Sequence, residues 1–369
     1  MIVEEPVRGG FAYLEHPWLL SLPPVEQFAP FLERRVPLAP LYHLAGLRVS
    51  DVEPVSEGAC AFEMPATPWW RSGAGVFLAG VFPFVADAAF GSAVFTALPP
   101  KTGLATSELS MNFLRPATIT SERLVARSRV IQMGRSQGLA EARVEDPDGT
   151  LLAYGTSRLV RLALPFDPPA PPDQLPAPAP NDLPDDPYRR DPEGEVVSHE
   201  LLDRASWLDV YRAWIKGELP LPPVCHLTGV RPTDVEDGQA TWTMPASQWM
   251  CSAFGTFYGG ALAVLADAAL TGAVGTTCGG RSTFGTLDLK MNFLRPVTPD
   301  GRELTARARV VHRGRTIAVA TCEVEDAQGR RVAMATSSFM ILPGKRWDER
   351  EGQVVPIDEA SPDRADAGV

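Results

Sequence analysis
The chain has little of what holds metals or builds disulfide frameworks. Its five cysteines, Cys60, Cys225, Cys251, Cys278 and Cys322, are scattered with no C-x-x-C pair. No histidine and cysteine stand together at metal-ligand spacing, so no metal is expected and the thiols fit a reduced, cytoplasmic setting. There is also no run of lysine and arginine. With a net charge of −11 and a pI near 5.1, nonspecific nucleic-acid binding is excluded, and an anionic ligand would need a local basic pocket. The start, Met1-Ile2-Val3-Glu4-Glu5-Pro6, is acidic where an export signal would be basic. Gly73 to Leu98 is long and apolar enough to suggest a membrane span. It contains Pro83 and Asp87, however, and its counterpart recurs inside a globular pattern, so it reads as core.

What is present is a repeat. Thr256-Phe257-Tyr258-Gly259-Gly260-Ala261 runs on through Asp267 to Ala273, and Val76-Phe77-Leu78-Ala79-Gly80-Val81 runs on through Asp87 to Gly91. The two aspartates lie 180 residues apart. The same offset relates Met111-Asn112-Phe113-Leu114-Arg115-Pro116 to Met291-Asn292-Phe293-Leu294-Arg295-Pro296, and Gly134-Arg135-Ser136 to Gly314-Arg315-Thr316. A helix-length stretch that is apolar all round is a buried helix. A lone carboxylate inside it requires partners or a task.

Taken in order, the chain divides into a helical lead-in at 1–39, a first repeat at 40–163, a proline-rich acidic linker at 164–196, a lead-in plus second repeat at 197–342, and a polar tail at 343–369. The first lead-in is expected to be helical over Val25 to Arg35 and the second over Leu201 to Lys216. Strand regions are expected to open at His43-Leu44-Ala45-Gly46 and His226-Leu227-Thr228-Gly229. Proline ends the strands Ala59 to Pro65 and Gln239 to Pro245. Leu109, Met111 and Phe113 alternate with polar residues, as do Leu287, Leu289, Met291 and Phe293, which is the period of a sheet with one buried face. Further strands follow at Leu124 to Met133, Gly138 to Glu145 and Leu151 to Leu162, with copies in the second half. The linker, with Pro168-Pro169-Ala170-Pro171-Pro172, reads as extended and solvated, and the tail as frayed.

A long helix followed by antiparallel strands, opened by Gly-Gly with an acid seven residues on, resembles a hotdog domain. More narrowly, the chain resembles the phenylacetyl-CoA and 4-hydroxybenzoyl-CoA type thioesterases, fused in tandem. The resemblance implies an α+β fold of two hotdog domains, each a long central helix wrapped by antiparallel sheet, that together form an intramolecular double hotdog. It also implies an acyl-CoA thioesterase with no cofactor beyond the coenzyme A of its substrate. The family's His-Gly-Gly stands here as Tyr258-Gly259-Gly260 and Leu78-Ala79-Gly80, and its acid as Asp267 and Asp87.

Thioester hydrolysis needs the carbonyl polarised and a nucleophile or base at its carbon. Backbone N–H groups at a helix start supply the first and a carboxylate the second. The helix rises about 10 Å between Gly260 and Asp267, at roughly 1.5 Å per residue, so these two cannot share a carbonyl. Antiparallel helices about a pseudo-twofold axis would instead set Gly259 and Gly260 against Asp87, and Gly80 against Asp267. The first pair has the fuller glycine motif and is ranked ahead. The second has Thr271 one turn past its acid. Tyr258 is a candidate substrate contact. Arg135 and Arg315 are candidates for coenzyme A phosphates, and Asn112 and Asn292 for binding, although strand-edge solvation and a structural role are the plainer readings. His43 and His226 read as packing residues.

The rival readings are a non-catalytic acyl-thioester binder or sensor, and a hotdog hydratase or dehydratase, which would need a His with an acid that neither central helix offers. The plainer reading of both aspartates is a structural carboxylate capping N–H groups across the helix interface. Acyl carrier protein is an alternative carrier to coenzyme A, and pairing of two double hotdogs into a homodimer is the expected assembly. Neither nucleic acid nor membrane is expected as a partner.

Overall fold
The computed structural model describes residues 1–179, 185–348, 350 and 352–357. Its centre is a pair of apolar helices, Val81–Thr96 and Gly259–Thr276, packed on each other. Pro83 sits in the first turn of the first helix, where its missing N–H would have had no intrahelical partner. Both helices end in the same device. The Thr96 and Thr276 hydroxyls donate back to the carbonyls of Ala93 and Ala273 and accept the N–H groups of Gly58 and Gly238, which ties each helix end to the turn before a strand.

The strands are β1 (Arg48–Val49), β2 (Ala59–Pro65), β3 (Thr102–Phe113), β4 (Arg123–Met133), β5 (Gln137–Glu145) and β6 (Leu151–Ala163) in the first repeat. The second repeat gives β7 (Arg231–Glu236), β8 (Gln239–Pro245), β9 (Ser282–Thr286), β10 (Asp288–Phe293), β11 (Glu303–Arg313), β12 (Ile317–Glu325) and β13 (Arg331–Pro343). All join one antiparallel sheet in the order β1-β2-β4-β5-β6-β3-β10-β13-β12-β11-β8-β7, with β9 also on β13. The two halves meet at β3 and β10, where Ser110 lies opposite Lys290. These residues are 180 positions apart, so the pseudo-twofold axis passes between them. Leu109, Met111, Leu289 and Met291 face the helices and are fully buried.

The helices cross through glycine. A Cβ on Gly80 would meet the Val264 Cα at 2.8 Å, and one on Gly260 would meet the Phe84 Cα at 2.8 Å. Val264 and Phe84 are themselves repeat equivalents. Close antiparallel packing therefore depends on these two positions.

Several local expectations are corrected. His43 and His226 do not open strands: they lie on short helices, Pro40–Ala45 and Pro223–Thr228, ended by Gly46 and Gly229 in the left-handed conformation. The lead-ins break into short pieces, with Pro30 inside the first and helices His199–Leu202 and Trp207–Lys216 in the second. The linker is not wholly solvated. Asp186 is buried against His43 at 3.0 Å, the Trp69 indole donates to the Arg190 carbonyl, and Arg190 pairs with Glu5. Nor is the tail frayed up to residue 357: strands β14 (Lys345–Trp347) and β15 (Val354–Pro356) pair. Residues 180–184 of the linker and 349, 351 and 358–369 of the tail lie outside the described residues.

Each lead-in packs on the other repeat. The Tyr13 N–H donates to the Ala253 carbonyl and its ring stacks on Phe254 at 4.0 Å, while Trp207 and Trp214 press against Gly73. The apolar helix Gly259–Thr276 is long enough to cross a membrane, yet it lies almost wholly inside this core.

Gly260→Ala is expected to lower stability by roughly 1–3 kcal/mol, the usual cost of overpacking. Gly91→Ala, where an added methyl meets open space on the same helix pair, is expected to raise it by roughly 0.5–1 kcal/mol. Urea unfolding of the two variants measures the contrast, and equal effects would contradict the crossing geometry.

Candidate active site
Each aspartate meets the helix start of the other repeat. Asp267 accepts the Gly80 N–H at 2.7 Å, and Asp87 accepts the Gly260 N–H at 3.0 Å. Asp87 also takes the Thr106 hydroxyl at 3.1 Å. Asp267 takes Thr286 at 3.4 Å and Thr271 at 3.5 Å, the long end of hydrogen-bonding distance. Thr106 and Thr286 are repeat equivalents that motif reading missed. Comparing the strands after each helix at the 180-residue offset would have shown a hydroxyl retained in both.

Burial dominates the titration of both acids. Asp267 has no exposed surface and its carboxyl is pushed up to about 7 by desolvation, against the opposing hydrogen bonds from Gly80, Thr286 and Thr271. Asp87 is pushed up to about 6 by the same cause, opposed by Thr106 and Gly260. A helix N-terminus favours the charged form, but not by enough to offset complete removal from water.

The surroundings of the two acids differ. Beside Asp267 lies a cavity of about 270 Å³ whose lining includes Leu78, Ala79, Ala268, Thr271 and Thr286 near the acid. Trp207, Tyr211, Trp214, Trp242 and Phe284 form aromatic walls further out. At the equivalent places around Asp87, Phe254 replaces the cavity-lining Ala74. Its ring stacks on Tyr13 and meets Phe95 edge-on at 5.9 Å. Gly91 stands in the position of Thr271, so one hydroxyl is missing. The sequence ranks the Asp87 pair first for its glycines, yet the open cavity adjoins Asp267.

The remaining candidates scatter. Gly259 lies against the Asp87 carboxylate, so close that a Cβ would sit 2.7 Å from Oδ2. Tyr258 is buried, and its hydroxyl donates to the Phe84 carbonyl at 2.5 Å. Burial and the neighbouring Asp87 charge hold that phenol far above its usual range, so Tyr258 works as a clamp between the helices. Arg135 and Arg315 are exposed in the β4–β5 and β11–β12 turns. Asn112 and Asn292 are both exposed on the sheet face turned away from the helices, because they alternate with the buried Met111 and Met291. They cannot reach either acid. His43 is satisfied by Asp186 in the core.

Antiparallel sheet wrapped on paired central helices, with acid and helix start traded between repeats, defines a double hotdog. The family model of the Thioesterase superfamily matches residues 74–153 and 254–333, once in each repeat. Among solved structures, a tesB protein of Mycobacterium avium subsp. paratuberculosis is similar with a TM-score of 0.51 and 14% identity, over 82% of this chain and 98% of that one. An acyl-CoA thioesterase II, TesB2, of Mycobacterium marinum gives 0.48 and 15%, over 82% and 97%. A thioesterase of Pseudomonas aeruginosa, crystallised as a mutant, gives 0.32 and 26%, over 37% and 94%. No curated protein matches by sequence.

A carboxyl whose folded pKa is raised binds its proton more tightly in the folded than in the unfolded chain. Between the ordinary aspartate value of 3.8 and about 7, the folded state therefore holds the extra proton, and stability contributed by Asp267 is lost as pH rises through that window. Wild type is expected to lose up to about 4 kcal/mol more than Asp267→Asn across it, at roughly 1.4 kcal/mol per pKa unit. Parallel pH dependences in denaturant titrations of the two proteins would contradict the burial account.

Proposed function
We propose that the chain is an acyl-CoA thioesterase with a single working site, at Asp267 of repeat two and the helix start of repeat one. The observation behind it is that this acid, fixed by the Gly80 N–H and flanked by two threonine hydroxyls, adjoins an aromatic-walled cavity large enough for an acyl group. The superfamily supplies the reaction class.

In this reading the acyl group occupies the cavity, with the thioester carbonyl at the start of the helix. The Gly80 N–H is engaged by Asp267, so the Ala79 N–H, which belongs to the same turn and lines the cavity, is the donor for the carbonyl oxygen. Asp267 removes a proton from water held with the Thr271 and Thr286 hydroxyls, and the water oxygen bonds to the carbonyl carbon. The resulting oxyanion lies at the positive end of the Val81–Thr96 helix. Collapse breaks the carbon–sulfur bond, and the departing thiolate takes back the proton from Asp267, leaving free acid and free thiol. A base whose pKa lies near neutrality suits both transfers. Arg315 belongs at the carrier end. Its turn pairs with Ile341, between Met340 and Leu342 of the cavity wall, and its exposed guanidinium suits a coenzyme A phosphate.

The Asp87 site is structural in this account: its carboxylate caps the Gly260 N–H and closes the helix crossing. A second reading, binding without hydrolysis, draws on the fact that both glycine N–H groups are already taken by carboxylates.

Asp267→Asn is expected to lower thiol release from acyl-CoA by about a hundredfold or more, in line with loss of a general base, while Asp87→Asn stays within a few-fold of wild type. Thiol-reactive dye assays of both variants decide it. Loss in Asp87→Asn alone would move the site to the other repeat, and tight acyl-CoA binding with no release by wild type would favour the binder.

A further inference from the structure
The second repeat continues into an element that the first does not have. Past β13 the chain turns back as β14 and β15, and the Trp347 indole N–H donates to the Phe284 carbonyl at 3.2 Å. The ring lies over Gly285, where an added Cβ would come within 3.2 Å of its Cζ2. Trp347 and Val354 both line the cavity beside Asp267, together with Trp207 and Phe284. The position equivalent to Trp347 in repeat one is Asp167, which is exposed and pairs with Lys101 at 2.6 Å. Trp347 thus adds an aromatic ring to the open side at a position where repeat one carries an exposed, ion-paired aspartate.

We propose that Trp347 is a specificity-determining residue, the far wall that limits the acyl group, and that the substrate is a thioester of a neutral, apolar acyl group of medium size. This rests on the cavity being the acyl pocket of the proposed thioesterase. Three observations bear on it. The indole is anchored at its nitrogen and sits on a paired strand, so it yields little to an oversized chain, and crowding a packed aromatic wall is destabilising. Arg115 is the one charged residue among the described lining residues, and it is exposed and donates to the Leu151 carbonyl at 2.7 Å. A distal carboxylate on the acyl group would therefore be stripped of water with no lining cation to pair with deep in the pocket. Finally, the walls of tryptophan, tyrosine and phenylalanine offer flat apolar faces that suit alkyl or ring-bearing groups.

The test compares butyryl-, octanoyl-, palmitoyl- and succinyl-CoA by thiol release, with calorimetric binding of their non-hydrolysable thioether analogues alongside. Wild type is expected to favour octanoyl and to discriminate against succinyl. Trp347→Ala should raise the palmitoyl-to-octanoyl ratio of kcat/KM and of affinity by about tenfold, within the range that pocket size commands. Trp347→Phe should keep the wild-type order. Should Trp347→Ala fail to fold, Val354→Trp reads the opposite sign, with octanoyl falling against butyryl. A folded Trp347→Ala with unchanged ratios, or a wild type that prefers succinyl, overturns the proposal. Analogue binding in the expected order without any thiol release would remove the hydrolase reading and leave the role of Trp347 standing.

Discussion
A carboxylate with no exposed surface can persist only where donors reach it, and here the donors are the free N–H groups of a helix start on the other repeat. That exchange requires the two central helices to approach backbone to backbone. Gly80 against Val264 and Gly260 against Phe84 permit it. The rest of the architecture follows from this crossing. Two repeats must be present, their helices must run antiparallel, and their sheets must join edge to edge at β3 and β10 on the same axis.

Duplication supplied two equivalent acids, and the segments outside the hotdog cores made them unequal. The first lead-in brings Tyr13 onto Phe254, which fills one side with stacked rings. The second lead-in stands Trp207, Tyr211 and Trp214 around the other side as walls, and the last strands add Trp347. The side that stays open is also the one whose acid is flanked by two hydroxyls and whose carboxyl is pushed higher, up to about 7. In the proposed reading, one acid serves the helix crossing and the other acts on what enters the cavity.

Much of this is legible in the sequence. The 180-residue offset, the alternation of Leu109, Met111 and Phe113, and the run of apolar residues around Asp267 are period signals, and periods survive in the sequence. The need for a cross-repeat partner followed from the rise of one helix. The two short helices ending at Gly46 and Gly229 read as strand openings in the sequence, because a glycine after two or three apolar residues closes a helix as readily as it opens a strand. Asn112 and Asn292 drew notice by repetition, but side-chain alternation turned them outward. The glycine motif ranks the Asp87 pair first, and cavity volume is not visible in a motif. What distinguishes the two acids is volume, and volume is set by Phe254 and Trp347, which come from segments far apart in the chain. The tail looked polar by composition, and a paired hairpin with one anchored tryptophan leaves little trace in an average.

The most direct test is the pH profile of kcat/KM for thiol release between pH 5 and 9. With Asp267 as the base, kcat/KM is expected to rise with pH and level off past an inflection near 7. A profile that is flat across neutrality, or one that falls as pH rises through it, would contradict a buried carboxylate acting as the base.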